Sequence, residues 1–590
     1  MNNLSPPRHA VAVDRAVMVP MRDGTRLAAD VYRPGADGRF PAIVERTPYN
    51  REQSVILRTG TPQYLAERGF VVVVQDVRGR FGSEGAWYPF VDDGWGRNRD
   101  GYDTVEWVAA QPWCNGKVAT TGGSYAGQTQ MLLAPTRPPA LVCGFIREAA
   151  SDLTRQWCYR GGAFEWAFNL DWCMRHAVPA LRRQADLVAA VAGIAANRFD
   201  VLPPGASPLL ADPFGWLRDL LAHPDDGPFW KPFNFERVYD QIDVPLYHLA
   251  GWFDIFLDGT LRNFAGLAEG ARSEAARQAQ KLIIGPWSHG PGVHDPAIAR
   301  YVGDMDFGPD AVLDFNAEML RWYDHWLNGT ATGIMDGPRV RYFLMGANEW
   351  RGADRWPPPD TTKRRFHLRG GQSGSAHSLN DGRLTADPPE GDEDPDSYAY
   401  DPARPVPTVG GNTLYCGPRH GGSGEENPDF AATAGPRDQR PVEPLCLTYS
   451  SGPLAAPLDA IGPVRLTLFA SSNCPDTDFV AKLCDVFPDG RSILVTDGIL
   501  RCRYRKSRSK PKLLKKGKVY ELTVEMWPTA WRFATGHRLR LAVTSSNFPR
   551  FDRNPNTGND PTTSTELRVA ENVVYHDDER PSHLIVRVLG

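Results

Sequence analysis

No apolar run in this 590-residue chain reaches the length of about 18 residues that a membrane-spanning helix needs. The start, "MNNLSPPRHAVAVDRAVMVPMRDGTRL", has no basic stretch followed by a long apolar one, so a soluble, cytoplasmic, non-exported protein is expected. Charge of one sign is also scarce. A net charge of -4 gives no global attraction to nucleic acid or to an anionic membrane. The nine cysteines, Cys114 to Cys502, contain no C-x-x-C pair and are widely dispersed, which excludes a zinc site of the usual spacing and a dense disulfide framework and suits reduced core thiols. There is no internal repeat and no long low-complexity tract. The acidic "PPEGDEDPD" lacks the ligand spacing of a calcium loop and reads as solvated. "RCRYRKSRSKPKLLKKGK", residues 501 to 518, carries ten basic residues but falls between predicted strands with one aromatic to stack a base, so a solvated strand face and hairpin loop is expected rather than a nucleic-acid site.

What is present is length enough for two to four domains. Short β-rich runs such as "RLAADVYRP", "PAIVERTPY", "FVVVVQDVRG", "VPLYHLAGWFD" and "KLIIGPWSH" alternate with helical text, the rhythm of a largely parallel α/β sheet over residues 1–151 and 244–352. Between 152 and 243 the text is rich in aromatics, alanine and arginine and predicts an inserted helical cap. From 353 to 590, alternating runs such as "VRLTLFAS" and "HRLRLAVTSS" are separated by Pro, Gly and Asp clusters, which predicts a β-sandwich or jelly roll.

The stretch "TTGGSYAGQTQ", residues 120 to 130, places Gly122, Gly123 and Gly127 around Ser124 where an apolar strand hands over to a helix. A turn that projects a nucleophile must bring backbone close to backbone, and side chains there would clash. The string fits a strand–nucleophile–helix elbow in which the Tyr125 amide points at a developing oxyanion. A serine hydroxyl needs an imidazole to take its proton and a carboxylate to orient that ring, and in a doubly wound hydrolase both follow in the order Ser, acid, His from loops after later strands. Asp254 after "VPLYHLAGWF" and His289 after "KLIIGPWS" stand at such strand ends. His248 inside a strand reads as core. His294 in "GPGVHD" is a rival base, and Asp258, in the first turn of the next helix, is the rival acid. Tyr49 in "ERTPYNRE" sits where a second oxyanion donor is expected, or is a plain aromatic of core or surface.

Taken together, "VMVPMRDGTRLAADVYRP", "TPYN", "QDVRGRFGSEG", "YDTVEWVAAQPWCNGKV", "GGSYAG", "AGWFDIF", "GPWSH", "VRYFLMGANEWR", "DTDFVAKLCDVFPDGRSILVTDGILRCRYR" and "SSNFPRFDRNPNTG" resemble the cocaine esterase family, relatives of the X-Pro dipeptidyl-peptidases, over nearly the whole chain. The resemblance implies an α/β-hydrolase domain with a helical cap insertion and a C-terminal jelly roll, cleaving esters or amides through an acyl-serine and without a metal or other cofactor. It implies Ser124 as nucleophile, Asp254 as orienting acid, His289 as base, Tyr49 and Tyr125 as oxyanion donors, and Trp157, Trp166, Phe256, Leu414 and Tyr415 around the acyl group. A serine carboxylesterase with an aromatic or apolar acyl preference is therefore expected, on a small-molecule ester or amide, with a homodimer left open. An amidase, acylase or aminopeptidase of the α-amino-acid ester hydrolase or X-Pro dipeptidyl-peptidase kind would require an acid to meet a substrate ammonium, and Glu165 is the candidate. A non-catalytic carbohydrate-binding protein on the jelly roll is the remaining class.

Overall fold

The structure is a computed structural model that describes residues 4–181, 199–207, 215–290, 299–415, 417–418, 426–427 and 433–590. Ten strands form the first sheet: β1 (Val11–Pro20), β2 (Arg26–Pro34), β3 (Phe40–Thr47), β4 (Val71–Asp76), β5 (Cys114–Gly123), β6 (Leu141–Arg147), β7 (Leu246–Phe253), β8 (Lys281–Ser288), β9 (Val340–Leu344) and β10 (Glu349–Ala353). Their order is β1-β2-β4-β3-β5-β6-β7-β8-β9-β10. Strands β4, β3, β5, β6, β7, β8 and β9 run parallel, with antiparallel pairs only at the edges. This is the α/β-hydrolase arrangement.

The β-branched run of β4 shows why the sheet holds. Period two sends Val71 and Val73 to one face, where they pack with Val105 and Val108 of α1 (Asp100–Ala109) and Leu133 of α2 (Tyr125–Leu133). Val72 and Val74 go to the other face, against Trp322 and Tyr323 of the helix Phe315–Asn328. That helix is stopped at both ends by its own residues: the Asp314 side chain accepts the Ala317 N–H, and Gly329 closes it at φ 70°. With both faces covered, continuous apolar strands are the expected solution, and all six β4 residues are buried.

Residues 152 to 243 contribute a short turn at Thr154–Cys158, the helices Trp166–Leu181 and Trp216–Ala222 and the 3-10 segment Pro228–Phe233, with an aromatic core. From Thr361 onward, thirteen strands join in one branched, mostly antiparallel β network. It is not a separate bead: one core runs from Trp252, Phe253 and Leu344 of the α/β sheet into Leu466, Trp531 and Leu541. Across that seam the Met345 N–H donates to the Ala530 carbonyl, and the Met345 carbonyl accepts the Arg532 N–H. The 501–518 stretch departs from the solvated expectation in part. Its lysines are exposed, but Arg501 is buried between Asp478 and Asp552, and Arg503 is paired with Asp476, because these guanidiniums lie over carboxylates of the adjoining β structure. No helix among the described residues is long and apolar enough to cross a membrane.

Candidate active site

Ser124 lies between β5 and α2 with φ 58° and ψ −124°, a conformation that costs energy for a residue with a Cβ and that projects its side chain out of the turn. The glycines make the turn fit. A Cβ on Gly122 would lie 2.6 Å from the Ala126 Cβ, and one on Gly127 would lie 2.7 Å from the Arg147 carbonyl oxygen. Two helical N–H groups, of Gly127 and Gln128, donate to the Ser124 carbonyl, and the Ser124 N–H donates to Arg147, so the elbow is tied to β6.

His289 follows β8 directly, and Asp254 follows β7. The imidazole Nδ1 and Asp254 Oδ1 are 2.7 Å apart with both groups buried. The same Asp254 oxygen accepts the Phe256 N–H at 3.0 Å, and the Phe256 ring stands edge-on to the imidazole at 5.3 Å. The acid loop is also held from the β half: Asn412 Nδ2 donates to the carbonyls of Trp252 at 2.8 Å and Asp254 at 2.9 Å.

The Tyr49 phenol receives the Trp172 indole N–H at 3.3 Å. Burial raises its pKa, and hydrogen bonding from Trp172, from the Ser124 side chain and from the Tyr125 backbone N–H opposes that rise. Tyr49 hydroxyl, Ser124 hydroxyl and Tyr125 amide therefore converge. The Tyr125 side chain is used elsewhere, stacked on Phe90 at 4.2 Å with its hydroxyl accepting the Phe90 N–H and donating to Asp93. In this resting geometry Ser124 and His289 line one cavity of about 330 Å³ without a hydrogen bond between them, a looseness usual before substrate binds.

That cavity is also lined by Glu45, Tyr49, Arg147, Glu148, Trp172, His176 and Leu414. Of the residues expected around an acyl group, Leu414 lines it. Trp157 and Phe256 stack on each other at 5.0 Å in the aromatic core behind, Trp166 donates its indole N–H to the Phe199 carbonyl, and Tyr415 is buried against Phe199. A cavity wall and a filled core have the same aromatic composition, so the sequence does not separate them. Trp172 and Glu148 are lining residues that sequence reasoning missed. Glu148 carried one signal: an acid placed directly after the apolar strand "LVCGFIR", at the same strand ends as the other candidates.

The rivals fall elsewhere. Asp258 accepts from Arg262 and Gln156, and His248 is buried beside Gln280, its pKa pushed down to about 4 by burial. Glu165 pairs with Arg550 and Arg160 and does not line the cavity, because the cap turns it toward the β half. His294 lies outside the described residues. Glu148, Asp254 and His289 form the one grouping of donor atoms among the described residues with the closeness of a metal site. The Nδ1 of His289 is committed to Asp254, however, and an N–H that donates to a carboxylate has no lone pair for a metal. The trio fits an oriented base.

An elbow serine at the end of β5, an acid after β7 and an acid-held imidazole after β8, on this sheet order, define a serine hydrolase of the α/β-hydrolase class. Residues 23–291 match the X-Pro dipeptidyl-peptidase (S15 family) domain, and residues 332–585 match the X-Pro dipeptidyl-peptidase C-terminal non-catalytic domain. A cocaine esterase of Rhodococcus sp. (strain MB1 Bresler) is 36% identical over 97% of this chain and 98% of its own length. The chain belongs to the cocaine esterase family, and it is a serine ester hydrolase. Among solved structures, an α-amino acid ester hydrolase superposes with a TM-score of 0.81 at 26% identity, covering 99% of this chain and 97% of the other. An aminopeptidase from a marine sediment archaeon, Thaumarchaeota archaeon, gives 0.78 at 25% identity with the same coverage.

Proposed function

We propose that Ser124 attacks the carbonyl of a small carboxylic ester with an apolar or aromatic acyl group, with His289 as base, Asp254 as its orienting acid, and Tyr49 and the Tyr125 amide as donors to the oxyanion. The observation that carries this reading is the 2.7 Å contact between His289 Nδ1 and Asp254, which leaves Nε2 as the lone-pair nitrogen. In the attacking arrangement Oγ meets Nε2 across the cavity that both residues line. As Oγ bonds to the carbonyl carbon, its proton passes to Nε2, and the carbonyl oxygen takes the negative charge that Tyr49 and Tyr125 meet. Collapse returns that proton to the leaving alkoxide and frees the alcohol. A water deprotonated by the same nitrogen then attacks the acyl-serine and releases the acid.

Leu414, Trp172 and Tyr49 are the apolar surfaces available to the acyl group, with Trp157 and Phe256 as the packed wall behind them. Esters without an ammonium are preferred. The cavity's two carboxylates, Glu45 and Glu148, share Arg147, and Glu148 is also turned on His289, so neither is left free to meet a substrate ammonium. Buried free thiols such as Cys143 and Cys484 suit a cytoplasmic setting. The test is a rate comparison across p-nitrophenyl esters of graded acyl size, benzoyl included, beside the matching anilides. Faster ester cleavage with kcat/KM rising toward larger apolar acyl groups is expected; preference for anilides, or for α-amino acyl groups, would overturn the reading in favour of an amidase or aminopeptidase.

A further inference from the structure

His289 has a second carboxylate. Glu148 ends the run that leaves β6, and its Oε2 lies 3.6 Å from the same Nδ1 that Asp254 holds. Its other oxygen, Oε1, accepts the N–H of Gly290 at 3.2 Å, so one side chain grips the residue after the imidazole and faces the ring itself. The backbone is built to put it there. The Glu148 N–H donates to Leu249 of β7 at 2.8 Å, and Glu148 has φ 53°, in the left-handed region where a residue with a side chain is strained. Glu148 is 5% exposed and lines the cavity that holds Ser124.

We propose that His289 is served by two acids: Asp254 holds the Nδ1 hydrogen, while Glu148 is a positioning residue that fixes the His289–Gly290 turn and adds a second negative charge beside the ring as it becomes an imidazolium. The inference rests on the Ser124 and His289 mechanism above. The charged groups that face the imidazole are Asp254 from the turn after β7 and Glu148 and Arg147 from the end of β6; Phe256 covers its edge without charge. Glu148 in turn faces His289, Asp254, Arg147 and the Gly290 N–H, and Arg147 also faces Glu45 of β3. Three buried carboxylates thus meet one guanidinium, and the protonated ring supplies the missing positive charge.

The electrostatics follow that count. Burial lowers the His289 pKa, but Glu148 and Asp254 outweigh it and raise it to about 8. Burial pushes Glu148 up to about 7 against the pull of the imidazole. A base must be neutral to accept a proton, so kcat/KM rises with pH as the free enzyme's imidazole loses its proton. Removing the Glu148 charge moves that limb to lower pH and at the same time weakens the imidazolium of the transition state. One pKa unit and a tenfold rate are the same free energy.

The experiment compares wild type with Glu148→Gln on p-nitrophenyl butyrate from about pH 6 to about pH 9, extracting kcat and KM separately. Wild type is expected to show an ascending limb near 8. In Glu148→Gln the limb moves down by about one unit, and plateau kcat falls about tenfold while KM changes by less than about twofold. Glu148→Asp, which keeps the charge, restores most of the limb. Superimposable profiles for wild type and Glu148→Gln would overturn the inference. Should Glu148→Gln fail to fold, titration of the His289 ring in the wild type by NMR decides: a ring signal that moves in two steps, one of them shared with ionisation of Glu148, supports the second acid, and a single step that ignores Glu148 rejects it. Fluorophosphonate labelling of the same preparations separates two failures. Unlabelled wild type sinks the Ser124 mechanism, whereas labelled wild type with an unmoved profile sinks the role of Glu148 alone.

Discussion

Two clusters of buried charge sit in the two halves of this molecule, and they are built in opposite ways. Around Arg501, in the β half, each charge is met. The guanidinium reaches both oxygens of Asp478 at 2.9–3.3 Å and both of Asp552 at 2.9 Å, and Asn554 adds a hydrogen bond to Asp478. A cavity of about 230 Å³ borders it, lined by Arg501, Arg503 and Asp552, but the charges there already have their partners. Around His289, in the α/β half, the matching is incomplete: Asp254 Oδ2 and Glu45 Oε2 are buried without a hydrogen bond, and Glu45, Arg147, Glu148 and His289 line the space beside Ser124. A satisfied cluster holds chain together. An unsatisfied one that faces a cavity holds protons in reserve, and that is where chemistry belongs.

The comparison is sharpest at Ser124. Ser124→Ala removes the proposed nucleophile and leaves every charge in place, so kcat on a p-nitrophenyl ester should fall by about four to six orders of magnitude. The far-ultraviolet circular dichroism and the denaturation midpoint should stay at wild-type values. Turnover near wild type would place the chemistry outside this cavity.

Arg501→Met makes the opposite cut. It strands two buried carboxylates and should cost about 3–5 kcal/mol in urea denaturation, while kcat per folded molecule is kept. Burial already lifts Asp478 to about 6, against the pull of Arg501. Without that guanidinium its folded pKa rises further above the unfolded value, so the folded state binds the extra proton. The added stability of protonation is then present at low pH and lost as pH rises through the neutral range. A variant whose stability instead rises with pH across that range would contradict the assignment of this cluster as structural.

Tyr49→Phe keeps the ring that packs on His176 and Tyr125 and deletes only the hydroxyl. Loss of this proposed oxyanion donor predicts a fall in kcat of about 10²–10³-fold with KM nearly unchanged. An equal fall in affinity for the substrate would make Tyr49 a binding residue instead. The smallest effect is expected at the seam between the two halves. Asn412→Ala leaves the carbonyls of Trp252 and Asp254 without their donor, which predicts a stability loss of about 1–3 kcal/mol and a modest fall in kcat. Unchanged thermal unfolding and unchanged kcat would show that the β half does not steady the acid loop.

How far the sequence reaches follows the same division. The placement of Ser124, Asp254 and His289 at strand ends was readable because each is attached to a local pattern: close-approach glycines for the first, and the ends of the apolar runs "LYHLAGWF" and "KLIIGPWS" for the other two. The parallel sheet was readable because strands covered on both faces must be apolar throughout, as Val71–Val74 are. Glu148 was not, since its meaning depends on β6 lying beside β7 and on a left-handed backbone that aims its side chain at the ring. Nor was the division of the tryptophans between wall and core: Trp172 lines the cavity and Trp157 does not, though both sit in similar aromatic text. The arginines of 501–518 failed for a related reason. A run of like charges looks solvated until Asp476, Asp478 and Asp552, distant in sequence, supply the carboxylates.

The account turns on one serine being the group that attacks. Treatment of the native protein with a fluorophosphonate, followed by mass spectrometry of its peptides, should find one phosphonyl adduct per chain, on Ser124, with ester hydrolysis lost in step with labelling. An enzyme that stays fully active while Ser124 is fully modified, or that is inactivated with the adduct on another residue, would contradict it.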